Sequence, residues 1–147
     1  MKNEVMLRNS IRLRAGVQSV WTALTDPAMT RHYMYGCEAL SDWKVGSSLV
    51  WKGAMDGKVY VKGNIVEIQR DKLLSYTVID PDSGIEDIPS NYLTVTLELS
   101  EEGRDTILSV TTGDFSVVAD GETRYKHSLG GWEYVLKGLK DLVEKPH

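Results

Sequence analysis

From Tyr125 onward the sequence carries one long amphipathic helix, and nearly everything from Gly36 to Phe115 reads as strand; few compact folds satisfy both. Tyr125, Leu129, Trp132, Leu136, Leu139 and Val143 recur every three or four residues, while Lys126, Glu133, Lys137, Lys140 and Glu144 take the opposite side. Val135 and Leu142 widen the apolar face. At 1.5 Å of rise per residue such a helix is roughly 36 Å long, enough to cross a small sheet. Gly130, Gly131 and Gly138 each cost about 1 kcal/mol relative to alanine inside a helix. Glycines there imply close approach to the sheet, or space kept open beneath.

The strand candidates are Cys37–Trp43, Ser47–Met55, Lys58–Ile68, Lys72–Ile79, Tyr92–Leu99 and Thr106–Phe115. The clearest alternation sets Leu93, Val95, Leu97 and Leu99 inward against Tyr92, Thr94, Thr96 and Glu98. Asp56-Gly57, Arg70-Asp71 and Glu102-Gly103 supply hairpin turns. In Lys58–Ile68 the apolar phase slips from Val59 and Val61 to Val66 and Ile68, which predicts a β-bulge at Gly63. Pro81–Ser90 is a long acidic loop. Ahead of these, Val5, Leu7, Ile11 and Leu13 alternate with Arg8, Arg12 and Arg14 in a first strand whose inward face includes Asn9. Val17, Val20, Trp21 and Leu24 mark a short helix, and Asp26-Pro27 caps a second over Ala28 to Tyr33.

The fold class is therefore α+β: a curved antiparallel sheet of six to seven strands around a long C-terminal helix, with two short helices after the first strand. At 147 residues the whole chain is expected to form one domain. A hydrophobic content of 41% with 26% charged residues fits a globular protein. A net charge of −4, with scattered basic residues, gives no footprint for nucleic acid. No apolar stretch approaches the roughly 18 residues needed for membrane insertion. The single Cys37 excludes an internal disulfide, and Met1-Lys2-Asn3-Glu4 opens no signal peptide, so a cytoplasmic location is expected.

Val20-Trp21-Thr22-Ala23-Leu24-Thr25-Asp26-Pro27 resembles the opening motif of proteins similar to the C-terminal domain of the activator of Hsp90 ATPase. Val45-Gly46, the Gly63-x-Ile65-x-Glu67-Ile68 segment, and Gly131-Trp132 with Leu136 and Leu139 fall where that family places other signatures. The resemblance runs from Leu13 to Leu142. It implies the Bet v 1-like, START-related helix-grip fold. The chain departs from the family pattern at Arg31-His32-Tyr33-Met34-Tyr35, where many relatives have a tryptophan, and at Gly46-Ser47-Ser48-Leu49, where many have Gly-Gly-x-Phe. Both departures fall near the expected pocket, so ligand preference does not transfer with the resemblance.

Catalytic motifs are scarce. His32, His127 and His147 have no metal-ligand spacing, Cys37 has no adjacent base, and no nucleophile elbow or phosphate loop is present. Asp80, Asp82, Glu86 and Asp87 lack the regular spacing of a calcium loop. No cofactor and no metal are expected. The aromatic and methionine inventory says more. Asn9, Tyr33, Met34, Tyr35, Trp51, Met55, Tyr60, Tyr76, Phe115, His127, Trp132 and Leu136 are the candidate ligand-binding residues, since large rings, thioethers and a few hydroxyls suit an apolar pocket. Packing in the core is the simpler role for any one of them. The leading expectation is non-catalytic binding of a small hydrophobic or amphipathic ligand, lipid-like or aromatic, between sheet and helix. One alternative is an enzyme of cyclase, dehydratase or hydrolase type using Tyr76, His127, Glu38 or Asp114 as acid or base. Another, resting on the resemblance, is a stress-response or chaperone-associated interaction protein. A homodimer formed through the Gly131-Trp132 face is a further partner option.

Overall fold

A computed structural model describes residues 3–145, so His147 lies outside the described residues. The chain runs β1 (Leu7–Leu13), α1 (Val17–Thr25), α2 (Pro27–Thr30), β2 (Cys37–Ser41), β3 (Ser48–Gly53), β4 (Val59–Gln69), β5 (Leu73–Val78), β6 (Leu93–Glu102), β7 (Asp105–Gly113) and α3 (Gly121–Val143). The strands form one seven-stranded sheet in the order β1-β7-β6-β5-β4-β3-β2, antiparallel throughout. From β2 to β7 each strand pairs with its sequence neighbour. The hairpin turns place Gly57, Asp71 and Gly103 in the left-handed region, which the turn chemistry of those positions permits.

The apolar phase slip in β4 has a different origin from the one expected. Its register shifts twice, at Tyr60 opposite Trp51/Lys52 and at Val66 between Ile65 and Glu67, and not at Gly63. Each bulge adds a residue and bends the strand. Ile65 faces the core between the bulges, while Val66 turns to solvent. Gly63 serves close approach instead, because a Cβ there would lie 1.6 Å from the Thr77 carbonyl oxygen.

At the end of α1 the Ala23 carbonyl would meet the amide of residue 27, but Pro27 has none. The buried Tyr33 hydroxyl donates to it instead, at 2.5 Å. Asp26 caps α2 through the Ala28 amide at 2.9 Å, as its sequence signature predicts, although α2 stops at Thr30. Gly138 then allows α3 to approach Tyr33, where a Cβ would come 3.0 Å from the Tyr33 Cβ.

Helix α3 is secured at both ends. Near its C-terminus Val135, Leu136 and Leu139 are buried among Leu13, Val20, Leu24, Leu49, Leu97 and Leu108. There Glu144 accepts from the Arg14 amide at 2.9 Å and Lys140 Nζ donates to the Arg12 carbonyl at 3.2 Å. Near its N-terminus Arg124 donates to the Asn91 carbonyl at 2.8 Å, and Tyr125 meets Phe115 edge-on with ring centroids 5.2 Å apart. Phe115, Leu7 and Leu93 make a separate small core beneath that end. Between these anchorages the helix is only partly covered. Leu129, expected on the apolar face, is 41% exposed.

Candidate functional site

The unfilled space lies under the middle of α3. Strand register builds its floor. Tyr76, Val95 and Thr112 pair across β5, β6 and β7 in one row, Val78 pairs with Leu93 one step along, and Trp51 pairs with Val61 across β3 and β4. Directly paired residues share a face, so these seven side chains form one continuous surface. His127, Ser128, Gly131, Trp132 and Val135 of α3 form the roof, and Met34, Tyr35, Cys37, Tyr60 and Asp80 complete the walls and mouth. The cavity is open to solvent and its volume is about 620 Å3, within the roughly 300–1,000 Å3 typical of small-molecule sites. Under the C-terminal half of α3, by contrast, the gap among Leu24, Leu49, Leu136 and Leu139 is only about 10 Å3.

Of the residues expected to bind a ligand, Met34, Tyr35, Trp51, Tyr60, Tyr76, His127 and Trp132 line this cavity. The other five stand elsewhere. Tyr33 is committed to the Ala23 carbonyl. Met55 sits in the β3–β4 turn and is 99% exposed. Phe115 packs in the small core with Leu7 and Leu93. Leu136 seals the main core under α3. Asn9 pairs with Val110 in the adjacent row, and its buried Oδ1 has no hydrogen-bond partner. Cys37, Val61, Val78, Asp80, Leu93, Val95, Thr112, Ser128, Gly131 and Val135 line the cavity without having been singled out as site residues. Val95 and Leu93 were legible as inward-facing; Thr112 carried no signal beyond its strand position, and Asp80 stood out only as a member of the acidic cluster. Gly131 and Trp132 line the cavity and are half-buried, while Leu129 and Tyr134 of the same helix are exposed.

The polar groups are few. The Tyr76 phenol is buried, and desolvation raises its pKa far above the ordinary value, so it stays a neutral hydroxyl. Burial, and secondarily Asp56, raise the Cys37 thiol, which disfavours the thiolate. Thr112 is 2% exposed and its Oγ1 has no partner. At the mouth Tyr35, with its backbone in the left-handed region, stacks on Tyr134 of α3 at 4.9 Å, and its hydroxyl reaches the Gly131 carbonyl at 3.5 Å. Tyr60, the bulged residue of β4, donates to Asp56, which raises the phenol and lowers the carboxyl. Lys58 and Lys62 pair with Asp82 and Asp87 of the acidic loop at 3.0 and 2.5 Å.

The four acid–base candidates do not converge. Asp114 accepts from the Ser116 hydroxyl and amide and the Val5 amide, outside the cavity lining. Glu38 alternates with the buried Cys37 and Ala39, and so faces away from the core. His127 and Tyr76 line the cavity without a hydrogen bond between them. Among the described residues no group of three or more His, Cys, Asp or Glu is placed to hold a metal ion. No described helix is long and apolar enough to cross a membrane.

A bulged seven-stranded antiparallel sheet spanned by a long C-terminal helix over a cavity defines the Bet v 1-like helix-grip class. Within it, the sequence matches the family described as Activator of Hsp90 ATPase homolog 1-like protein over residues 14–144, and the chain belongs to that family. The ChR145 protein of Cytophaga hutchinsonii is similar in structure, with 33% identity, TM-score 0.78, and coverage of 98% of this chain and 97% of that one. An HSP90 activator from Plasmodium falciparum shares the fold at 19% identity and TM-score 0.74, covering 96% and 97%. The Aha1 dimer from Colwellia psychrerythraea does so at 16% identity and TM-score 0.75, covering 95% and 96%. No curated protein matches.

Proposed function

We propose that this protein is a non-catalytic binding module for a small hydrophobic or amphipathic molecule held between the sheet and α3. The observation that carries this reading is the cavity of about 620 Å3, walled by Trp51, Tyr76, Trp132 and aliphatic side chains. Burial of apolar ligand surface there contributes ~25 cal/mol per Å2 before ordering costs are subtracted. Glu38 and Asp114 stand outside the cavity, and His127 and Tyr76 make no hydrogen bond to each other, which supports binding over catalysis. A cytoplasmic location accords with this role.

The test is a thermal-shift and native mass-spectrometry screen of uncharged aromatics and lipids, run on the wild type and on Gly131→Leu. Gly131 lines the cavity, and leucine favours helix, so the variant narrows the space without weakening α3. Ligands should raise the melting temperature of the wild type more than that of the variant. Equal shifts in both proteins, or none in either, would overturn the reading.

Resemblance to an HSP90 activator supports a second reading, association with a chaperone. Pull-down with the Hsp90 homologue of the same cell decides it; absence of both binding and any change in ATPase rate removes it.

A further inference from the structure

The cavity floor offers a guest hydrogen-bond donors, and little else that is polar. Trp51 and Tyr76 are neighbours on that floor, 7% and 2% exposed, with ring centroids 6.0 Å apart. Among the described residues, neither the Trp51 indole N–H nor the Tyr76 hydroxyl makes a hydrogen bond. Both atoms remain within reach, because the unpaired side-chain atoms sealed from any probe are only Asn9 Oδ1 and Thr112 Oγ1. The small gap under the C-terminal half of α3 is lined almost wholly by apolar atoms, so the two donors open on the larger cavity. A donor left bare in so desolvated a site is costly until something accepts from it.

Acceptors and charges are scarce by comparison. An indole N–H only donates, and the sealed Thr112 oxygen cannot accept from a guest, so on the floor only the phenol oxygen of Tyr76 could. No lysine or arginine lines the cavity among the described residues, and its one carboxylate, Asp80, is exposed. The nearby cations are engaged elsewhere: Lys58 with Asp82, Lys62 with Asp87, and Arg124 with the carbonyls of Asn91 and Ala119. His127, in the roof, is exposed. A carboxylate carried down to the floor would be desolvated there without a counter-ion. An uncharged carbonyl oxygen, with two lone pairs and nothing to donate, suits both conditions.

We propose that the ligand is an uncharged, largely apolar carbonyl compound whose oxygen accepts from the Trp51 indole N–H, with the Tyr76 hydroxyl as the second donor. The apolar body lies against Val61, Val95 and Trp132. This rests on the cavity being a binding site, and it names the polar end that the site selects.

Titration with a size-matched trio at neutral pH tests it: acetylnaphthalene, ethylnaphthalene and naphthoate. Acetylnaphthalene is expected to bind about tenfold more tightly than either of the others, the worth of one buried hydrogen bond. Nuclear magnetic resonance reads the contact itself, since the four tryptophans give one indole N–H signal each. The signal missing from Trp51→Phe identifies Trp51, and in the wild type acetylnaphthalene should move it further downfield than ethylnaphthalene does. Tyr76→Phe keeps the ring and should weaken acetylnaphthalene several-fold while leaving ethylnaphthalene unchanged. Ethylnaphthalene or naphthoate matching acetylnaphthalene in the wild type would overturn the proposal while leaving the cavity reading intact, and that comparison needs no variant to fold. So would a Trp51 signal that answers equally to the acetyl and ethyl compounds. Binding by none of the three would remove both.

Discussion

The carbonyl of Ala23 has lost its helical partner to Pro27, and Tyr33 supplies the missing donor from across the α1–α2 corner. Tyr33→Phe removes that donor and leaves a buried carbonyl unsatisfied, at an expected cost of about 1–3 kcal/mol in urea unfolding. Ligand affinity should barely change, since Tyr33 does not line the cavity. Aromatic rings at the right places in the sequence were legible as a set, yet their separate duties were not. Tyr33 and Tyr35 lie two positions apart; one is locked in the core and the other stacks over the cavity mouth. Thr112 was invisible for the opposite reason. A threonine in a strand is ordinary, and only the register that sets it beside Val95 and Leu7 shows that its hydroxyl is stranded.

At the scale of elements, β4 and α3 determine where the space lies. Two bulges turn β4 while Gly63 lets β5 pass close against it. Gly63→Ala would drive a Cβ into the Thr77 carbonyl, with an expected loss of at least about 3 kcal/mol or failure to fold, read by circular dichroism and melting. The α3 glycines divide differently. Gly130 meets nothing within 4 Å, so Gly130→Ala should stabilise the protein by about 0.5–1 kcal/mol without altering ligand binding. Periodicity identified both elements, all six strands after α2 and the capped short helix. It misplaced Leu129, because an apolar helix position is buried only where something lies beneath it. It likewise named one glycine for the bulge, since a phase slip locates a disturbance in a strand without revealing which residue is extra.

The whole molecule couples its ends through carboxylates held below their ordinary pKa range. Glu144 is lowered chiefly by Lys140 and then by the Arg14 amide; Asp114 is lowered chiefly by the Ser116 hydroxyl, then by the Val5 amide. A carboxyl with a depressed folded-state pKa contributes stability that is present above its unfolded value and is lost as pH falls through the folded one. Denaturant midpoints should therefore be flat near neutrality and decline below about pH 4. Glu144→Gln should flatten the decline.

Because α3 is tied down at Arg124 and again at Lys140 and Glu144, lifting it would break contacts at both ends at once. On the proposed function, a guest that leaves α3 in place enters from the side, where the Tyr35–Tyr134 stack borders the opening. On that reading, exchange kinetics are set in part by the six-residue connection between α2 and β2 (residues 31–36), which carries Tyr35.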